Sequence, residues 1–112
     1  MTSPESPTRA PIVVAAHVPN LFDRSRFEGK AHFVESPDQA LACQPDLLIV
    51  DLDRCDDLEG FRIDGPRVLG FGPHIDSALH QRAADAGYDE VLPRSVFFKR
   101  LPGLLASVTG GR

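Results

Sequence analysis

The sequence predicts an α/β domain built on a doubly wound, five-stranded parallel sheet. Three observations carry this. Leu47, Leu48, Ile49 and Val50 form an apolar run with no period-2 alternation, as a strand covered on both faces does. Strand-like and helix-like segments alternate along the chain, which implies parallel strands with right-handed crossovers. The central run stops at Asp51, and in open α/β sheets ligand-facing groups sit just past the carboxyl ends of the strands.

Taken in order, residues 1–10 are rich in Pro, Ser and Thr and have nothing apolar to bury beyond Met1, so they read as a disordered lead-in to a single domain over 11–112. A first strand covers 12–16, with β-branched Ile12, Val13 and Val14. Asn20 caps a short helix through Leu21, Phe22, Arg24 and Phe27, and Gly29 stops it. A second strand covers 31–34. Ser36 followed by Pro37 opens a brief helix that ends at Gln44-Pro45, before the central strand over 47–50. Residues 53–65 are acidic and lack a helical period, so they read as a loop or a single short turn. A fourth strand covers 68–71. Ile75, Ala78, Leu79, Ala83 and Ala86 share one helical face, with Gly87 as the residue that ends the helix. A fifth strand covers 90–92. Ser95 opens a last stripe of Phe97, Leu101, Leu104, Leu105 and Val108; a helix start near Phe98 places Pro102 in the first turn, where a missing N–H costs least.

The 112 residues carry 42% hydrophobic and 25% charged residues and a net charge of -4, a globular balance suited to one domain. A mildly acidic chain has no electrostatic reason to sit on nucleic acid or an anionic membrane. Its apolar runs fall short of the ~20 residues of a membrane span. No secretory h-region is visible, and Cys43 and Cys55 form neither a metal spacing nor a disulfide framework, so the expectation is a cytoplasmic protein.

Several motifs together resemble the receiver domain of bacterial response regulators, over nearly the whole length from Pro11 to Val108. They are Pro45-Asp46 leading an apolar strand that ends in Asp51, the sequence Ala86-Gly87-Tyr88-Asp89 before the fifth strand, and Val13-Val14 followed by Pro19-Asn20. The resemblance implies a flavodoxin-like, receiver-like sheet in the order 2-1-3-4-5, here with shortened helices, and makes Asp51 the equivalent of the phosphoacceptor. The chemistry of that family needs an acidic pair holding Mg²⁺, which neutralises the phosphoryl oxygens; those positions read Ala15 and Ala16. The hydroxyl residue after the fourth strand reads Gly72, the aromatic of the fifth strand reads Val91, and the lysine and its following proline read Arg94 and Ser95. Arg94 keeps the charge and is expected to pair with Asp51.

Other readings are weaker. Asp51-Leu52-Asp53 resembles the start of the haloacid-dehalogenase phosphatase pattern, but Cys55 stands where Thr or Val belongs and the chain after it is short. His17 and His74 follow the first and fourth strands and could join Asp51 around a transition metal; solvated loop residues are the simpler account, and no metal or other cofactor is expected. The acidic run after Asp51 lacks the spacing of a calcium loop.

The expected role is therefore not enzymatic. The chain reads as a degenerate receiver, a phosphorylation-independent protein–protein interaction module in bacterial signalling that meets a signalling protein or a second copy of itself. Arg82, Tyr88, Phe98 and Arg100 are the candidates for its binding face, since aromatic and arginine side chains dominate hot spots. The alternative is a receiver still phosphorylated on Asp51 and, behind it, a small phosphatase-like enzyme.

Overall fold

The structure is a computed structural model that describes residues 12–73 and 76–106. The elements are β1 (Val14–His17), α1 (Leu21–Ser25), β2 (His32–Phe33), α2 (Pro37–Cys43), β3 (Leu47–Asp51), a 3-10 turn (Leu52–Arg54), α3 (Leu58–Phe61), β4 (Arg67–Gly72), α4 (Ser77–Asp85), β5 (Glu90–Pro93) and α5 (Arg94–Leu105). The five strands form one sheet in the order β2-β1-β3-β4-β5. Every pairing is parallel, as the βα alternation predicts.

All five residues of β3 are buried, because the sheet is covered on both faces. Side chains alternate across it. Leu48 and Val50 join Leu58, Phe61, Leu79 and Ala83 in one core, against α3 and α4. Leu47 and Ile49 join Phe27, Phe71, Phe97 and Leu101 in the other, against α5. Each core is tied to the end of a helix by local chemistry. The side chains of Asn20, Ser36, Asp57 and Asp76 accept from the first-turn N–H groups of α1, α2, α3 and α4. Gly87 takes φ +99° just after α4, a conformation that favours glycine.

Residues 53–65 hold more order than a loop: the 3-10 turn and the one-turn α3 fill the place of a longer helix. The turn lies close to β4. A Cβ on Gly70 would sit 2.7 Å from Leu52 Cδ2 and 3.1 Å from Tyr88 Cδ2, so glycine is what lets both side chains pack there.

The start of α5 differs from the expectation. The helix begins at Arg94, directly out of β5, and Pro102 lies inside it rather than in its first turn. An interior proline forfeits one backbone hydrogen bond and strains the preceding turn, at about 3 kcal/mol. Phe97, Phe98, Leu101 and Leu105 are all buried by the longer helix, while Pro102 is exposed. Burying side chains of this size contributes about 1.5–3 kcal/mol each, which outweighs the local penalty. The proposed lead-in over 1–10, together with His74, Ile75 and Val108, lies outside the described residues.

Candidate functional site

A hollow of about 220 Å³ opens at the carboxyl ends of the strands. Asp51 closes β3, Gly72 closes β4, Asp53 and Arg54 come from the 3-10 turn, Asp23 from α1 and Arg94 from the start of α5. This is where a parallel sheet presents its functional groups.

Asp51 is 3% exposed. Its Oδ2 has no hydrogen-bond partner among the described residues, and the neighbouring cation, Arg54 Nε, stands 3.8 Å away. Burial pushes the Asp51 carboxyl above its ordinary value of 3.8; Arg54, the backbone at Asp53 and Arg94 oppose that without cancelling it. Burial therefore makes the charged form costlier than on an exposed aspartate.

Arg94 does not form the expected pair with Asp51. Its planar fork closes on Asp23: Nη1 donates to Oδ2 at 2.8 Å and Nη2 donates to Oδ1. Asp23 is a buried carboxylate in the first turn of α1, and its own backbone N–H donates to Asn20 Oδ1 at 3.1 Å. The bidentate geometry explains the preference, since Asp23 offers both oxygens to the guanidinium. That hydrogen bond raises the Arg94 pKa above its ordinary value. Sequence reasoning passes over Asp23, although Asn20 and Asp23 have the spacing of a cap and a first-turn acid beside a strand end.

Ala15 and Ala16, at the positions of the acidic pair, are fully buried in β1 and offer no side-chain oxygen. His17 is also occupied: its Nδ1 lies 3.0 Å from the Val34 carbonyl, and its ring stacks on Phe61 at 4.5 Å. Among the described residues no three His, Cys, Asp or Glu side chains are grouped to hold a metal ion. No helix among them is long and apolar enough to cross a membrane.

The four residues expected on a binding face divide evenly. Arg82 and Arg100 are exposed, and Arg100 Nη1 donates to Glu90 Oε2 at 2.7 Å. Tyr88 and Phe98 are buried, both at 7%. Tyr88 follows the turn at Gly87 and packs inward, its hydroxyl donating to the Leu58 carbonyl at 2.9 Å. Phe98 packs edge-on against Phe71 and Phe97 and lies under the guanidinium groups of Arg26 and Arg94. Among the described residues the exposed large apolar side chains are instead Leu21 and Phe22 on α1, with Leu41 and Val96.

No protein-family model matches the chain, and no curated protein matches it. Among solved structures, a response regulator from Hahella chejuensis superposes with a TM-score of 0.66 at 16% identity, over 90% of this chain and 98% of that one. A CpaE2 pilus assembly protein from Sinorhizobium meliloti gives 0.49 at 16% identity, over 90% of this chain and 100% of that one. The first likeness shows that the backbone has the flavodoxin-like receiver fold.

Proposed function

We propose that the chain is a receiver-type domain of bacterial signalling that works in the cytoplasm by binding a protein partner, without taking up a phosphoryl group and without catalysing a reaction. The observation that carries this reading is the Asp23–Arg94 clasp. The cation that would meet a phosphoryl group on Asp51 is already satisfied by an internal carboxylate. The remaining parts point the same way. Asp51 is buried, and burial raises its pKa, so its charged, nucleophilic form is costlier there than on an exposed aspartate. Ala15 and Ala16 supply no ligand for the metal that phosphoryl transfer to a carboxylate needs. What the domain retains is a fixed surface.

The experiment is intact-mass spectrometry after incubation with Mg²⁺ and acetyl phosphate. The mass stays unchanged in this reading. A phosphoryl adduct that disappears in Asp51→Asn overturns it and establishes the alternative, a phosphoacceptor working with different metal support.

A further inference from the structure

A second concavity, of about 510 Å³, lies beside α5 and is lined by Arg26, Arg94, Ser95, Phe98 and Lys99. We propose that it binds a small organic phosphate monoester. The composition of the lining is the first reason. The whole chain has 16 acidic and 12 basic residues, yet this groove is lined by three cations and no carboxylate. The hollow at Asp51 differs: Asp23, Asp51 and Asp53 stand on its wall together with Arg54 and Arg94. Of the two openings, the one without a carboxylate is the one that favours an anion.

The state of the cations is the second reason. Arg94 is neutralised by Asp23. Arg26 and Lys99 are in no salt bridge among the described residues. The Arg26 guanidinium lies 4.3 Å over the centre of the buried Phe98 ring, a contact that holds the group in place and leaves its N–H donors free of a carboxylate. The Ser95 hydroxyl adds a neutral donor. The first turn of α5 has no side-chain cap, so its partial positive charge acts in the same direction.

A phosphate monoester carries about -1.5 to -2 charge at neutral pH and three acceptor oxygens. Two uncompensated cations and a hydroxyl match that demand. The volume lies within the ~300–1,000 Å³ of small-molecule sites, which leaves room for an organic group beyond the phosphate.

The test is a titration of isotope-labelled full-length protein, at low salt, with adenosine monophosphate, inorganic phosphate and adenosine as separate probes. The expected result is saturable shifts at the amides of Arg26, Ser95 and Lys99 with adenosine monophosphate, weaker binding of inorganic phosphate at the same amides, and none with adenosine. Arg26→Glu and Lys99→Glu each weaken binding about tenfold or more, the effect of losing one hydrogen bond to a charged group; Lys99→Glu, which gives up no contact with a core ring, keeps the wild-type melting temperature. Arg54→Gln, on the wall of the other hollow, binds as the wild type does. The proposal is overturned if both phosphates fail to saturate, if adenosine binds as well as its monophosphate, or if the charge reversals leave affinity unchanged. Equal affinity for inorganic phosphate and the monophosphate overturns the organic ligand, and loss of binding in Arg54→Gln moves the site to the other hollow.

Discussion

Asp51 ends the most thoroughly buried strand with a group whose charged form is costly to bury. Its folded pKa is raised above 3.8, with burial as the largest cause. For an acid the consequence has a definite sign. Below about pH 4 the carboxyl is neutral in both folded and unfolded chains and costs nothing; as pH rises, the unfolded chain ionises first and folding loses stability until the folded carboxyl ionises too. Asp51→Asn cannot ionise and is free of that loss. The stability of Asp51→Asn minus that of the wild type is thus expected to grow as pH rises from about 4. Urea-unfolding midpoints of the two proteins across the acid-to-neutral range measure it. A difference that is flat, or that shrinks with pH, shows that Arg54 and Arg94 hold Asp51 ionised. The position of Asp51 was legible in the sequence because a buried apolar run ended there. The partner of Arg94 was not: nothing in Asn20-Leu21-Phe22-Asp23 distinguishes a buried first-turn aspartate from a solvated one, and only the approach of α5 to α1 decides between them.

At the scale of elements, the strands were the easiest to read, since runs such as 47–50 and 68–71 have neither a helical period nor a polar face. The caps of α1 and α2 were equally plain, because Asn20 and Ser36 act through their own neighbours; those of α3 and α4, Asp57 and Asp76, were not read. The start of α5 was misplaced by a local rule. Pro102 argued for a late start, but burial of Phe97 and Phe98 is a tertiary gain that no local rule contains. The result is a helix with two poor helix formers in its second half, Pro102 and Gly103. A Cβ on Gly103 would meet nothing within 4 Å, and the residue is exposed. Gly103→Ala therefore removes backbone freedom from the unfolded chain without creating a clash, and it is expected to stabilise the protein by roughly 0.5–1 kcal/mol. Chemical denaturation reads the gain as a higher midpoint at unchanged slope. No gain, or a loss, would mean that the end of α5 is not helical in solution.

The two cores on opposite faces of one sheet leave α4, β5 and α5 to present a continuous side of the molecule, and here the sequence misjudged which groups are available. Aromatic residues next to a glycine turn or at a helix start look exposed in one dimension; in three, Tyr88 and Phe98 each close a core. Removing the Phe98 ring would cost about 3 kcal/mol or more, so that variant tests stability rather than binding. The two arginines that are exposed are not equivalent either. Arg100 is bonded to Glu90, which also receives Arg67 Nη2 at 3.0 Å, so its charge belongs to a structural network across β4, β5 and α5. Arg82 stands on α4 in no salt bridge among the described residues. If this side is where the proposed partner docks, Arg82→Glu should remove the partner from pull-downs, or the dimer from sedimentation profiles, with no change in melting temperature. Arg100→Glu should lower both together, because it places a second carboxylate against Glu90; the stability part is small, about 1 kcal/mol, as for exposed pairs. A partner that still binds Arg82→Glu at wild-type strength rules out docking through this side, and the exposed Leu21 and Phe22 on α1 then become the residues to change next.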